Sequence, residues 1–220
     1  MLNSAESDCA RPVPGGKSGA VNAMRKSGRR SAVGGQPPAV EVVILAGGLS
    51  SRMGRDKARL RLGGRPLLGW VRAAARASGW RVRVIRRDLV PRCGPLGGVW
   101  TAFQRSRVRR LVFLSCDMPF VSPALIRAVA ERKDKAVFVE TAEGAGFPFA
   151  LDRACFPTVE QALAEKRFSL QALARCLRAR KLRLPRRRQG ELRNLNTPED
   201  CARARASQRA NALARPHDAE

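Results

Sequence analysis

A chain of 220 residues, 44% hydrophobic and 28% charged, is long enough for one α/β domain with a well-buried core and leaves only short segments over. Six Cys without any C-x-x-C spacing and a single His, His217, near the C-terminus exclude zinc fingers, thioredoxin-like redox sites, His triads and His general bases. The 43 Lys and Arg against 18 Asp and Glu, formally +25, concentrate polyanions near the surface without choosing among them, while 5% aromatics and no Tyr disfavour an RNA-stacking sheet.

Residues 1–38 are rich in Gly, Ser, Pro and basic side chains without periodicity, and are expected to form a disordered basic extension. Gly15-Gly16-Lys17-Ser18 is no phosphate loop, because Arg11 stands where its earlier Gly belongs and no strand precedes it. The pattern changes at Glu41. The β-branched run 41–45 ends in Gly47-Gly48 and predicts a buried strand running into a turn. Further strands are predicted over 81–85, 111–115, 136–140 and 147–151, and helices over 67–78, 96–106, 124–131, 158–164, 170–179 and from Pro198 onward. This alternation predicts an α/β fold of three layers, a mostly parallel twisted sheet with helices on both faces, Rossmann-like, with ligands beyond the carboxyl ends of the strands.

The domain is expected over 39–208, with a flexible tail at 209–220. Trp70, Trp80 and Trp100 lie in or beside helical patterns and are expected to pack on the sheet, and Cys116 is expected in the core. No apolar run is long enough to span a bilayer and no signal peptide is read. With thiols read as free, the expectation is a cytoplasmic protein without a membrane partner.

The segment LAGGLSSRMGRDK at 45–57 directly follows the first strand. Gly47 and Gly48 permit close approach of main chain to a ligand, and consecutive N–H groups from Leu45, Ala46, Gly47 and Gly48 can cradle phosphates or a base edge. Arg52 and Lys57 offer a planar fork and a point charge for a triphosphate. Asp117 closes the apolar run 111–115 and so places a carboxylate at a strand's carboxyl end, where Mg²⁺ and phosphates would meet. Its structural alternative is an Asp-x-Pro turn ahead of a helix capped by Ser122. Asp88, among Arg86, Arg87 and Arg92, reads by itself as a surface ion-pair partner. Asn194 and Asn196 precede Thr197, Pro198 and Asp200, which read as a helix start.

Taken together, LAGGLSSRMGRDK (45–57), LGGRPLLGWV (62–71), GPLGG (94–98), LVFLSCDMPFVSPAL (111–125), GFPFAL (146–151) and NLNTPED (194–200) closely resemble, in order, the motifs of the molybdenum cofactor guanylyltransferase family, over roughly residues 41–205. Asp56-Lys57 resembles the guanylyltransferase form, where related cytidylyltransferases usually carry Pro before the Lys. The resemblance implies transfer of GMP from GTP to molybdopterin with Mg²⁺ on Asp117, catalysis by Arg52, Lys57 and Asp117, nucleotide contacts from Leu45, Ala46, Gly47, Gly48, Lys57, Asp88 and Asp117, and pterin contacts from Asn194 and Asn196. It also implies GTP, molybdopterin and transient cofactor-delivery or acceptor proteins as partners. Between Pro66 and Gly94 the chain is about one strand-and-helix step shorter than the family pattern, and no counterpart is evident of the Asn that the family places near the base. A cytidylyltransferase for the same pterin, or for another small phosphate, is the alternative within the class. An Arg-rich nucleic-acid-binding module is the non-enzymatic one, and it rests on charge alone.

Overall fold

The computed structural model describes residues 39–47 and 60–213. The expected extension at 1–38, the end of the expected tail and the positions of Gly48, Arg52 and Lys57 lie outside the described residues. Six strands form the main sheet: β1 (Val40–Leu45), β4 (Arg81–Ile85), β5 (Arg110–Ser115), β6 (Ala136–Thr141), β7 (Gly144–Asp152) and β8 (Arg180–Leu182). Their order across the sheet is β4-β1-β5-β7-β6-β8. A two-stranded ribbon, β2 (Arg61–Leu62) with β3 (Arg65–Pro66), stands apart from it.

β1 is buried nearly throughout because both faces of the sheet are covered, which is why its sequence is a continuous apolar run instead of an alternation. Val43 and Leu45 point to one layer and Val42 and Ile44 to the other. The first layer holds α2 (Gly94–Arg105), α4 (Phe156–Ala164) and α5 (Leu170–Cys176). The second holds α1 (Leu67–Ala77) and α3 (Pro123–Ala130). Helices α1 and α2, which flank β4 in the sequence, thus lie on opposite faces, and the connection through β4 reverses across β1. A ligand crevice forms beyond the strand ends at such a point.

One strand runs against the rest. β7 pairs antiparallel with both β5 and β6, while β1–β4, β1–β5 and β6–β8 are parallel. The sheet is therefore mixed, five strands in one direction and β7 in the other. The reason is local: β6 and β7 are joined by a two-residue connection, Ala142-Glu143, and a connection that short permits only a hairpin. β8 was not expected from the sequence, since three residues, Arg180–Leu182, in a basic context carry no strand signal.

Helix boundaries shift where backbone geometry overrides pattern. α2 starts two residues before the expected Leu96, with Pro95 in its first turn. α4 likewise starts at Phe156 with Pro157 in its first turn. α5 stops at Cys176 and not at 179 because Arg178 adopts a left-handed conformation, φ 47°.

Two polar clamps lock the sheet at the end remote from the carboxyl ends of β1 and β5. Glu41, 1% exposed, accepts from Arg83 Nε at 3.0 Å and from Ser106 Oγ at 2.5 Å, tying β1 to β4 and to the residue after α2. Arg110 donates to Asp152 at 2.5 Å and to the Asp134 carbonyl at 2.9 Å, tying β5 to β7. Trp80 and Trp100 pack against the two sheet cores as expected, whereas Cys116 is only partly buried against the second, and Trp70 packs away from the sheet with Leu62, Leu67 and Leu195, donating its indole N–H to the Leu62 carbonyl at 3.0 Å.

Candidate functional site

The carboxyl ends of β4, β1 and β5 lie side by side and carry Asp88, Gly47 and Asp117 just beyond them. The ladder runs to the last residue of each strand and one step past it: Ala46 donates to the Ile85 carbonyl at 2.8 Å, and Cys116 donates to the Leu45 carbonyl at 3.2 Å. Leu45 and Ala46 are thereby fixed as ladder partners, and the Leu45 side chain is in the core.

Gly47 is Gly for a packing reason. A Cβ there would sit 2.9 Å from the Arg86 carbonyl oxygen, closer than side-chain atoms settle, with an Asp88 carboxylate oxygen at 3.4 Å. Gly97 and Gly98 in the first turn of α2 face the same carboxylate, at 3.4 and 3.3 Å from a built Cβ, and Gly98 would also meet Leu45 at 3.0 Å. The Asp88 carboxylate thus lies in contact range of three glycines, whose tightest limits come from the Arg86 carbonyl at Gly47, the Val90 carbonyl at 2.6 Å from Gly97, and Leu45 at Gly98. Asp88 is half-buried, pairs with none of the Arg residues around it among the described residues, and burial pushes its carboxyl above the usual range. The ion-pair reading of Asp88 is not what the geometry displays.

Asp117 is also half-buried, and its Oδ1 accepts from Ser115 Oγ at 2.6 Å. The start of α3 makes no demand on it. Ser122 caps that helix, accepting from the Leu125 N–H at 3.1 Å, with Pro123 following. A hard carboxylate at a strand's carboxyl end fits Mg²⁺, which takes one or two protein carboxylates and completes its octahedron with water and phosphate oxygens.

Asn194 and Asn196 come to the same place through Leu195. The Leu195 side chain is fully buried with Leu62, Leu67 and Cys201, and its N–H donates to the Asp117 carbonyl at 2.8 Å. In this extended segment side chains alternate, so burying Leu195 turns both Asn residues outward, where both are exposed. Thr197 and Asp200 form the start of α6 (Pro198–Leu213): Asp200 Oδ2 accepts from the N–H groups of Asn196 and Thr197 at 3.0 and 3.1 Å, and Thr197 Oγ1 accepts from Asp200 at 3.1 Å. The motif divides into an anchor, a cap and two outward amides.

Beside Asp117 opens a cleft of about 960 Å³. β5 pairs with β7 only as far as Phe113 opposite Phe149. Beyond that, Pro148 has no N–H to give, and the β6–β7 register slips between Phe138 and Val139. The strands part there, and the gap is floored by Met118, the residue after Asp117, and walled by Phe147, Gln171, Gln189, Arg193 and Asn194. The sequence did not point to Met118, Gln171, Gln189 or Arg193. The Gly-rich stretch 144–146 between two strand patterns was the signal for a hairpin whose tip reaches this cleft.

The sequence matches the family described as the MobA-like NTP transferase domain over residues 42–183. The molybdenum cofactor guanylyltransferase of Xanthomonas euvesicatoria is 34% identical over 174 residues, covering 73% of this chain and 92% of that protein. The probable molybdenum cofactor guanylyltransferase of Opitutus terrae is 35% identical over 191 residues, covering 74% and 93%. Among solved structures, molybdopterin-guanine dinucleotide biosynthesis protein A of Archaeoglobus fulgidus superposes with a TM-score of 0.62 at 18% identity, covering 77% of this chain and 99% of that one. The 2-C-methyl-D-erythritol 4-phosphate cytidylyltransferase of Thermus thermophilus gives 0.57 at 18%, covering 78% and 100%. At such identities these two share the fold with this chain.

Proposed function

The chain belongs to the MobA-like NTP transferase family, and from that membership we propose that it transfers GMP from GTP to the terminal phosphate of molybdopterin-bound molybdenum cofactor. The products are a molybdopterin guanine dinucleotide and pyrophosphate. The observation that carries this reading is the position of Asp117 at a seam. On one side of it lie the ends of β1 and β4 with Asp88, lined by Gly47 and by Gly97 and Gly98 of α2. On the other, starting at Met118, lies the cleft of about 960 Å³. With nucleotide on the first side and acceptor in the cleft, the α-phosphorus of one substrate would meet the phosphate of the other beside this carboxylate.

The cleft is assigned to the pterin, with Asn194 and Asn196 contacting it, and the glycine-lined side to GTP, with the Leu45 to Gly48 segment and Asp88 contacting the nucleotide. An oxygen of the acceptor phosphate attacks the α-phosphorus in line, the bond to the bridging oxygen of the β-phosphate breaks, and pyrophosphate leaves with the electron pair. That oxygen is already ionised near neutral pH, so the step needs no general base. Arg52 and Lys57 are assigned to the charge that develops on the triphosphate. Asp117 would hold Mg²⁺, which when bound would neutralise charge on the phosphate oxygens.

The nucleobase is the point at which a second reading is kept. β4 lies directly beside β1 and is the edge strand on that side among the described residues, and its end presents Arg86 and Arg87 in place of a further strand carrying Asn. Pyrophosphate release with molybdopterin as acceptor, measured in parallel with GTP and CTP, decides between guanylyl and cytidylyl transfer. Release with neither nucleotide overturns the assignment.

A further inference from the structure

Behind the cleft, and outside its lining, stands a carboxylate with every oxygen engaged. Glu191 Oε2 accepts from the Ser122 N–H at 3.3 Å and from Ser122 Oγ at 2.5 Å, and Arg188 donates to Oε1 at 2.5 Å and to Oε2 at 3.2 Å. Ser122 Oγ at the same time accepts from the Leu125 N–H at 3.1 Å. The hydroxyl therefore caps α3 with its lone pair and holds Glu191 with its proton. α3 is a fixed support, since Leu125, Ile126 and Val129 are fully buried against the sheet.

Apolar burial holds this segment only in part, through Leu192 against the second core. Residues 186–192 form a 3-10 turn without a buried residue, followed by the irregular stretch up to α6. Four of its residues, Gln189, Leu192, Arg193 and Asn194, line the cleft. It is pinned downstream by Leu195, through the Asp117 carbonyl and the buried side chain. Upstream of those residues, the polar attachment to the body of the fold is at Ser122, which Glu191 engages through Oε2 and which Arg188 also reaches at 3.3 Å. Burial by itself would raise the Glu191 carboxyl, but the hydrogen bonds from Arg188 and Ser122 override it and leave it lowered, so the clasp is ionised at neutral pH.

We infer that Glu191 is a positioning residue for the acceptor half of the site: bridging Ser122 and Arg188, it fixes residues 192–194 against α3 and so sets where Asn194 stands relative to Asp117. The inference rests on the proposed function for the identity of the acceptor, but the clasp itself does not. A misplacement of about 1 Å in a substrate-positioning group can cost about 10²-fold. Here the loss falls on one substrate, because the GTP side is built from β1, β4 and α2, which Glu191 does not touch.

The test compares wild type, Glu191→Ala, Glu191→Gln and Arg188→Ala by amide hydrogen exchange and by steady-state kinetics with each substrate varied in turn. In Glu191→Ala, exchange over residues 190–195 accelerates while β1, β5 and α6 keep wild-type rates. The KM for molybdopterin rises about tenfold or more, and the KM for GTP and its calorimetric affinity stay within about twofold. Glu191→Gln, which keeps an oxygen for Ser122 but loses the charge facing Arg188, falls between. Faster exchange with an unchanged molybdopterin KM overturns the positioning role, and so do parallel rises in both KM values. If Glu191→Ala does not fold, the same comparison stands on Glu191→Gln and Arg188→Ala. If the wild type transfers nothing to molybdopterin, the proposed function fails, while unchanged exchange over 190–195 in the variants would refute the clasp by itself.

Discussion

The main chain of Asp117 carries the Leu195 N–H at 2.8 Å while its side chain accepts from Ser115 Oγ at 2.6 Å, so a single residue couples the end of β5 to the segment bearing Asn194 and Asn196. Its backbone holds the segment that carries the two Asn residues, and its carboxylate is the group assigned above to the metal. A substitution that changes only the carboxylate separates the two duties. Asp117→Asn retains an oxygen for Ser115 and leaves the Leu195 bond untouched, so the protein folds with a near wild-type Tm. Transfer at ordinary Mg²⁺ concentrations falls by about 10²-fold or more, as expected when electrostatic stabilisation of a phosphoryl centre is removed. Undiminished pyrophosphate release by this variant would refute the metal assignment.

Asp88 offers a prediction whose sign depends on pH. Its carboxyl is raised by burial, so ionised Asp88 burdens the empty protein at neutral pH, and that burden disappears as pH falls through the raised value toward the ordinary carboxylate range. Asp88→Asn should therefore melt higher than wild type at pH 7, by no more than about 2–4 °C, the shift that 1 kcal/mol makes in a domain of this size. The difference should vanish in acid. Affinity for GTP should fall about tenfold or more through the loss of a charge-assisted hydrogen bond. Calorimetric melts at several pH values together with nucleotide titrations check both halves, and a variant less stable than wild type at pH 7 contradicts the first.

The Arg110–Asp152 pair tests stability apart from chemistry. Both residues are at least 90% buried, Arg110 also donates to two backbone carbonyls, and removing Asp152 leaves a buried guanidinium uncompensated. Asp152→Ala should cost about 3–5 kcal/mol of folding stability. At temperatures where it is folded, its KM values for both substrates should match wild type, because the pair lies at the far end of β5 from Asp117. Urea melts and kinetics at low temperature decide, and a cost under about 1 kcal/mol would mean that the pair is compensated by other groups.

Asp200 is held at about 2 chiefly by the Asn196 N–H, with the Arg203 side chain next. A depressed carboxyl contributes above the ordinary Asp value and stops contributing as pH falls through its lowered one. The start of α6 and the Asn196 backbone should therefore loosen between about pH 4 and pH 2. Carboxyl and amide chemical shifts followed through that window check it: Asp200 titrating at an ordinary Asp value would show that the cap does not form in solution.

How much of this was legible beforehand differs by kind of signal. The parallel half of the sheet was readable because β1 and β5 are buried on both faces and must be apolar throughout, and Asp117 stood out because a carboxylate ending such a run has few reasons to be there. By its neighbours in sequence alone Asp88 reads as an ion-pair partner, and only the resemblance marked it as a nucleotide contact. The glycines that surround it, Gly47, Gly97 and Gly98, lie on two other elements and converge only in three dimensions. The reversal of β7 was hidden because strand patterning carries no direction, and only the shortness of the Ala142-Glu143 connection reveals it. Glu191 was silent altogether: in a run of basic residues, a single acid looks like a solvated partner, and its engagement with Ser122 joins segments far apart in the chain.

The reversal of β7 also bears on how such an enzyme can change its substrate. The hairpin connecting β6 to β7 points its tip into the cleft, while its two strands are rooted in the core by Phe138 and Phe149, stacked at 4.6 Å. A loop on a rigid stem can be lengthened or exchanged without disturbing what holds the stem. If the cleft takes the acceptor as proposed, exchanging the hairpin tip around Ala142-Glu143 for that of a relative with another phosphorylated acceptor would shift acceptor preference and leave nucleotide preference with the recipient.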